Sequence, residues 1–287
     1  MFDPKAPLTL WKDHHFTGER ALFQAKNLVL EGCRFDDGES PLKESHNIKI
    51  DRCDFAWRYP IWYGSDYAVT NCTFNVDVRA GFWYIVDAVF EDCQFACPKG
   101  FRRCENLVLK NCGFTEAIET LWWCNNVKAE NIRVTGAPYF GLQSNNVEIS
   151  GFYLEGKYAF DTCENIVIRD AKMLTKDVFW NSKHIRVERC YIEAEYIGWN
   201  SEDLTFIDCE IHSHQGFCYI KNLKMVNCRL VDTDLAFEYC ENIDIDVTGR
   251  IDSIKNPISG RIVCDGYGEL IQDDPKVDPS KTEIVVR

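Results

Sequence analysis

The feature that most constrains this chain is a sequence repeat with a period of 19 to 21 residues. Clear copies are NLVLEGCRF from Asn27, NLVLKNCGF from Asn106 and NLKMVNCRL from Asn222. A unit this short cannot bury its own apolar face, so neighbouring copies must stack on one another as a solenoid. One position of the repeat, held mostly by cysteine, runs through Cys33, Cys53, Cys72, Cys93, Cys112, Ile132, Phe152, Ala171, Cys190, Cys209 and Cys228.

Within each copy, apolar and polar residues alternate, which predicts a β-strand with one buried face. Stacked strands of this kind form parallel sheets. We therefore predict an all-β fold, a single-stranded right-handed parallel β-helix of about 11 coils of 19 to 21 residues. The expected domain is single and covers residues 1–287. Residues 1–24 form the N-terminal cap, 25–250 the coils and 251–287 the C-terminal cap and tail.

Two other solenoids compete with this interpretation. The segment from Cys104 to Phe114 also resembles a leucine-rich repeat, but 19-residue coils fall below the usual length of about 20 to 29 residues. The rest of each coil is aromatic and strand-like, where a leucine-rich repeat commonly has a helix. A pentapeptide repeat needs an apolar residue at every fifth position, which most coils lack. The β-helix is favoured over both.

Composition and charge exclude several classes of protein. The 15 cysteines fall mainly into two columns expected to be buried, as small hydrophobes are, so we predict free thiols, no metal site and no cofactor. The N-terminus does not read as a signal peptide, which predicts a cytoplasmic location. A net charge of −13 argues against nucleic-acid and anionic-membrane partners. No apolar run is long enough to span a membrane.

The other half of each coil predicts a binding face. Counting back from the asparagine gives a column of large apolar core residues, and the next position should face outward. On the same face, two positions earlier, we expect a column of small residues: Gly81, Gly100, Thr120, Ala159, Gly216 and Ala236. Aromatic rings beside small and polar residues suit a sugar, whose ring has an apolar face and a polar edge. The outward residues predicted to bind substrate are Trp62, Trp83, Arg102, Trp122, Asp161, Trp180 and Trp199.

A polar column beside this face supplies candidate catalytic groups. Glu195, His214 and Asp234 fall on successive coils, and Glu238 shares the coil of Asp234. Neighbouring coils would hold carboxyl groups about 5 Å apart and alternate coils about 10 Å apart. These spacings bracket those of retaining and inverting glycoside hydrolases. The same residues could equally be a solvated acidic surface, which the net charge makes the simpler interpretation.

Two functions remain open. One is a carbohydrate-binding or glycoside hydrolase-like protein acting on an oligosaccharide, or on an acidic sugar bound by the basic residues around Arg102. If the protein is an enzyme, a hydrolase is favoured over a lyase, because the predicted basic and acidic clusters lie at opposite ends of the stack. The alternative is a non-enzymatic scaffold or homo-oligomer that uses the tryptophan stripe as a protein interface.

Many segments also resemble one known bacterial family. They include YPIWY (59–63), ETLWWC (119–124), KDVFWNS (176–182), EYIGWNS (195–201) and IDSIKNPISG (251–260). The chain is similar over nearly its whole length to domain of unknown function family 3737, which is pectin-lyase-like. The resemblance implies a right-handed parallel β-helix in a bacterial, intracellular protein. It implies no activity and assigns no catalytic residue.

Overall fold

The computed structural model describes residues 7–287, and the chain divides after Gly141 into two compact units. Each unit is a parallel β-solenoid in which every strand pairs with the equivalent strand one coil away. This confirms the predicted all-β class. Residues 7–287 contain no α-helix, only two short 3-10 turns at Val76–Val78 and Pro279–Lys281, which argues against a leucine-rich repeat with a helix in each coil. No helix in that range could span a membrane.

In the first unit a coil has three walls. The first-wall strands, which carry the repeat, are Thr9–Lys12, Lys26–Glu31, His46–Asp51, Ser65–Thr70, Val86–Glu91, Glu105–Lys110 and the start of Asn125–Phe140. The second-wall strands are His15–Phe16, Arg34–Phe35, Asp54–Phe55, Thr73–Phe74, Gln94–Phe95 and Gly113–Phe114. The third-wall strands are Ile61–Trp62, Ala80–Trp83, Lys99–Arg102 and Glu119–Thr120.

The second unit has the same plan, with some strands running continuously from one wall to the next. Its first-wall strands are Asn145–Ala159, Glu164–Leu174, Lys183–Glu188, Glu202–Ile207, Lys221–Asp234, Ile243–Thr248, Gly260–Cys264 and Thr282–Val286. Its other strands are Asp177–Val178, Tyr191–Ala194, Tyr196–Ile197, Glu210–His214, Arg250–Lys255 and Gly266–Ile271.

The two units together have more coils than the repeat predicted. Residues 7–287 make about 15 turns, where about 11 were expected. One additional coil lies before the recognisable repeats, because Thr9 pairs with Leu28 in the register of the later coils. Three more follow them, since Ile262 pairs with both Ile245 and Ile284. These coils kept the strand pairing, but the Asn and Cys signature that made the repeat visible is incomplete in them, as where Asn242 is followed by Val247 at the Cys position.

Columns of like residues fill the interior of both units. In the first unit six phenylalanines stack with centroids 4.6–5.0 Å apart: Phe16, Phe35, Phe55, Phe74, Phe95 and Phe114. All 15 cysteines are buried. Their thiols contact backbone carbonyls, as between Cys93 Sγ and Glu91 O at 3.2 Å. The cysteine columns are therefore part of the core, as the repeat predicted.

The small-residue column is not on the outer face, and that prediction is wrong. Ala159, Gly216 and Ala236 are all buried. The aromatic residue after each of them, such as Phe160 and Phe217, has a positive φ of 53° or 67°. A left-handed residue breaks the strict alternation of a strand, so both the small residue and the aromatic one lie inside.

Candidate functional site

The second unit carries an aromatic cavity of about 330 Å³ on three successive coils. Its residues stand at matched positions, since Tyr158 pairs with Asp177 and Asp177 pairs with Tyr196. Three residues after Asp177 and Tyr196, Trp180 and Trp199 also line the cavity. We call this group the aromatic cavity; it is lined by Tyr158, Lys176, Asp177, Val178, Trp180, Tyr196 and Trp199.

Local backbone geometry explains why large rings gather here. Phe179 has a φ of 62° and Gly198 a φ of 69°, so the chain turns sharply just before Trp180 and Trp199. The turn keeps Phe179 in the core and projects the indole that follows it, leaving Trp180 38% exposed. The two indoles lie 6.2 Å apart at 54°, and Tyr196 meets Trp199 edge-on at 5.5 Å. The rings are thus tilted around a space between them, in contrast to a closed flat stack.

Asp177 is the unusual residue of the cavity. Its residue exposure is 5%, and its Oδ1 is buried without a hydrogen-bond partner. Burial raises the pKa of this carboxyl, with smaller contributions from Glu195 and Asp161, while Lys176 opposes the shift. A buried polar atom without a partner costs about 1–3 kcal/mol. Such an atom in a cavity is a candidate contact for a ligand.

Lys176 provides the positive charge at the rim. Its Nζ lies 4.0 Å from Glu195 Oε2 and 6.0 Å from the centre of the Tyr158 ring. The neighbouring Tyr158, Glu195 and Asp177 groups raise the pKa of Lys176, so it stays protonated. The ammonium is already engaged by one carboxylate and one ring.

Of the residues predicted from the sequence, Trp180 and Trp199 line the aromatic cavity. Glu195 stands at its edge through its ion pair with Lys176. Asp161 accepts a hydrogen bond from Thr162 Oγ1 at 2.7 Å and is close enough to act on the Asp177 carboxyl. These four residues are brought together around Asp177.

The remaining predicted catalytic residues form a separate hydrogen-bonded network. His214 Nδ1 lies 2.8 Å from Asp234 Oδ1, which also accepts from the Gln215 backbone N–H at 3.0 Å. The Gln215 amide donates to Glu238 Oε2 at 2.9 Å. Glu238 Oε1 pairs with Lys255 Nζ at 2.9 Å, and Glu238 is only 6% exposed. The carboxylate of Glu238 is therefore already satisfied by protein groups.

An open cleft of about 460 Å³ lies beside that network. His212 there contacts Glu210 at 3.1 Å, and Cys209, which the sequence places nearby, is buried in the core. Among residues 7–287 no three His, Cys, Asp or Glu side chains converge in a way that could hold a metal ion. The cleft is lined by Thr175, Glu193, Ala194, Glu195, His212, Ser213, His214 and Asp232.

The predicted residues of the first unit form a stack closed by an arginine. Trp62 and Trp83 are parallel with centroids 4.9 Å apart. The Arg102 guanidinium lies 4.9 Å from the Trp83 ring centre and 5.2 Å from that of Trp122. Arg102 also pairs with Glu119 at 3.3 Å. The ring faces and the guanidinium thus cover one another, although Trp83 Nε1 is buried without a hydrogen-bond partner.

The basic residues predicted to receive an acidic sugar are largely ion-paired as well. Arg58 pairs with Glu39 at 3.0 Å, and Lys99 with Glu119 at 3.0 Å. The Arg58 guanidinium and the Lys99 ammonium are therefore both engaged by carboxylates of the protein. The first unit therefore offers less to a ligand than its sequence suggested.

Sequence reasoning missed Asp177, Tyr158 and Tyr196. All three directly precede a buried residue, at a position between the predicted polar and small-residue columns that neither column included. One signal was present, because Asp177 in KDVFWNS occupies the place that Tyr158 and Tyr196 hold in the adjacent coils. An aspartate between two tyrosines of one column suggests that its carboxyl group has a function.

Known structures resemble this chain in fold. A tailspike protein mutant of E. coli bacteriophage HK620, in complex with a hexasaccharide, is 10% identical with a TM-score of 0.46 over 86% of this chain and 60% of that one. The catalytic unit of a thermostable GH87 α-1,3-glucanase from Streptomyces thermodiastaticus is 11% identical with a TM-score of 0.43 over 96% and 62%. This chain thus spans less than two thirds of either protein. At such identities the likeness concerns the fold alone.

No curated protein matches the sequence. The family described as protein of unknown function (DUF3737) matches residues 9–285. That range holds every strand from Thr9–Lys12 to nearly the end of Thr282–Val286, and with them the aromatic cavity. The chain accordingly belongs to the DUF3737 family of proteins of unknown function.

Proposed function

We propose that the aromatic cavity of the second unit binds a carbohydrate. The observation that carries the proposal is Asp177, whose buried Oδ1 lacks a partner inside a cavity walled by two indoles and two phenols. Sugar rings present apolar C–H faces to aromatic rings and hydroxyl groups to polar atoms. A hydroxyl of the ligand would give Asp177 the hydrogen bond that the protein does not.

The size and form of the cavity support a small ligand or one end of a longer one. A volume of about 330 Å³ lies at the lower end of the range for small-molecule sites, about 300–1,000 Å³. Trp180 and Trp199 are tilted relative to each other by 54°, and Trp180 is exposed. By contrast, the stacked rings around Arg102 in the first unit already cover each other.

Asp177 also changes which residue should be tested for catalysis. General acid catalysis needs a carboxyl that keeps its proton at working pH. Burial raises the pKa of Asp177, whereas Glu238 is held in an ion pair with Lys255. Should a neutral sugar be bound and cleaved, Asp177 is the first candidate for the acid, ahead of Glu195, His214, Asp234 and Glu238; a ligand ammonium would instead keep Asp177 ionised.

The first prediction concerns the indoles of the cavity. We expect Trp180→Ala and Trp199→Ala each to weaken oligosaccharide binding about tenfold, since each removes one stacking surface. Titration calorimetry and intrinsic tryptophan fluorescence against a panel of neutral, acidic and amino oligosaccharides would measure this. Trp122→Ala in the first unit is the matched control and should bind like the wild type.

Two outcomes would contradict the proposal. Equal binding by Trp180→Ala and the wild type would remove the cavity as the site. A panel without any binder, together with a stable dimer in light scattering, would favour the alternative of a scaffold or homo-oligomer. The exposed and stacked Tyr63 and Tyr84, 4.7 Å apart, are the aromatic surface that such an interface would use.

A further inference from the structure

We infer that the sugar bound in the aromatic cavity is an amino sugar, whose ammonium group pairs with Asp177. The inference rests on the proposed carbohydrate binding and narrows it to one class of ligand. It is carried by three features of the cavity: the aromatic walls, the unpartnered carboxyl oxygen and the excess of acidic groups around it.

The aromatic walls favour a positive charge. The face of an aromatic ring carries negative electrostatic potential and attracts ammonium groups. Four such rings line the cavity, those of Tyr158, Trp180, Tyr196 and Trp199. Lys176 shows the preference within the protein itself, because its ammonium lies 6.0 Å from the Tyr158 ring centre.

The buried carboxyl favours a cation over a neutral hydroxyl. Asp177 Oδ1 has no hydrogen-bond partner and the residue is 5% exposed. A hydroxyl would supply a hydrogen bond only, whereas an ammonium would supply the hydrogen bond and neutralise the charge. Charge-assisted hydrogen bonds are the stronger kind, above all where water is excluded.

The charges around the cavity disfavour the binding of an acidic sugar more strongly than the binding of a neutral sugar. Asp161 and Glu195 are each close enough to influence the Asp177 carboxyl, against the single ammonium of Lys176 at the cavity wall. Lys176 is already paired with Glu195. A uronate or sulfate would therefore meet net negative charge and would leave the Asp177 oxygen without a donor.

The pH dependence has a defined sign. Burial raises the pKa of Asp177, Glu195 and Asp161 add to the shift, and Lys176 opposes it. The other titratable groups facing it are Tyr158 and Tyr196, and burial raises the pKa of Tyr196 further from neutrality. Affinity for an amine should therefore increase as pH rises through the pKa of Asp177. A bound ammonium favours the ionised carboxylate, so binding in that interval releases a proton.

The test compares glucosamine oligosaccharides with N-acetylglucosamine oligosaccharides of the same length. These differ in whether the nitrogen is charged. We expect the wild type to prefer the amine roughly tenfold. Asp177→Asn, which keeps the shape of the side chain, should abolish the preference. Glu148→Gln, an exposed first-wall position of the same unit, is the control and should retain it.

The outcomes separate the inference from the proposed function. If the N-acetylated sugar binds as tightly as the amine, or if Asp177→Asn keeps the preference, the inference is wrong and carbohydrate binding stands. If neither sugar nor any neutral one binds, both are wrong. A pH series on the wild-type protein tests the inference without relying on the correct folding of a variant. An affinity for the amine that does not increase with pH, relative to the N-acetylated sugar, would also overturn the inference.

Discussion

At the scale of single residues, asparagine recurs at the start of the coils because it meets two requirements there. The position is left-handed, with φ of 55° at Asn106 and 60° at Asn222. Asparagine tolerates this region better than other residues with a side chain. Its amide also bonds the equivalent residue of the adjacent coil, as Asn222 Nδ2 does to Asp203 Oδ1 at 2.6 Å. Each Asn of the column thus provides a left-handed bend in its own coil and a side-chain hydrogen bond to the adjacent coil.

This account predicts an ordered series of stabilities at Asn222. Asn222→Ala keeps neither the amide ladder nor an easy left-handed conformation, and should lower the free energy of unfolding by about 2 kcal/mol. Asn222→Gly relieves the backbone and loses only the amide, so about 1 kcal/mol is expected. Urea unfolding followed by circular dichroism measures both. If alanine proves as stable as glycine, the left-handed backbone is not the reason for asparagine.

At the scale of elements, the bent segments that connect one wall of a coil to the next, here called arcs, determine which side chains contact one another. In the second unit the short strands Asp177–Val178 and Tyr196–Ile197 are each followed by a left-handed residue and a tryptophan. Two successive coils built in this way bury Phe179 and Ile197 and turn the two indoles that follow toward the cavity. The aromatic cavity is therefore a product of arc geometry repeated on adjacent coils.

The strand Arg250–Lys255 likewise gives Glu238, on the preceding coil, a structural partner. It brings Lys255 to Glu238, which the Gln215 amide also contacts. We expect Glu238→Ala to lower the free energy of unfolding by about 3 kcal/mol, because it leaves a partly buried ammonium unpaired. Asp234→Ala, at a more exposed carboxylate, should cost less. Thermal unfolding of both variants checks this; an unchanged midpoint for Glu238→Ala would rule out a structural role.

At the scale of the whole molecule, the coils of each unit contact mainly their neighbours. Stability in such a stack is approximately a sum of coil terms and nearest-neighbour terms. The phenylalanine column of the first unit shows the arrangement, with Phe55 and Phe74 stacked at 4.8 Å. Phe35 and Phe114, in contrast, are separated by three other rings of the same column.

Double-mutant cycles in this column test the nearest-neighbour description. The pair Phe55→Leu and Phe74→Leu should show a coupling of about 1 kcal/mol, since each variant removes the same ring contact. The pair Phe35→Leu and Phe114→Leu should be additive within about 0.5 kcal/mol. Denaturant unfolding gives all the terms needed. Equal coupling free energies in the two pairs would mean that a perturbation at one ring is transmitted along the column.

Much of the fold was predictable because its determinants are local and repeated. The period, the buried Cys column and the parallel pairing all follow from one 20-residue pattern. The coils at Thr9–Lys12 and beyond Asn242 escaped prediction because strand pairing needs backbone and apolar residues, whereas the visible repeat was carried by Asn and Cys. Family membership and fold class were likewise predicted correctly.

The site was predicted only in part. Trp180 and Trp199 were named from their column, but Asp177 and the two tyrosines beside it were not. Column counting assumes strict alternation, and the left-handed residue in each arc breaks it. Glu238 was named as an acid, but its Lys255 partner stands on a coil where the repeat is no longer visible.

By itself, the sequence determined the solenoid, its coil length and much of its core, because burial of a repeated apolar pattern admits few other solutions. Only the tertiary structure decided which outward side chains are free to bind. Trp83 is covered by its neighbours while Trp180 remains exposed, and Glu238 is paired while Asp177 is not. Those differences arise between coils, from contacts between residues about 20 positions apart, and no single coil contains the information.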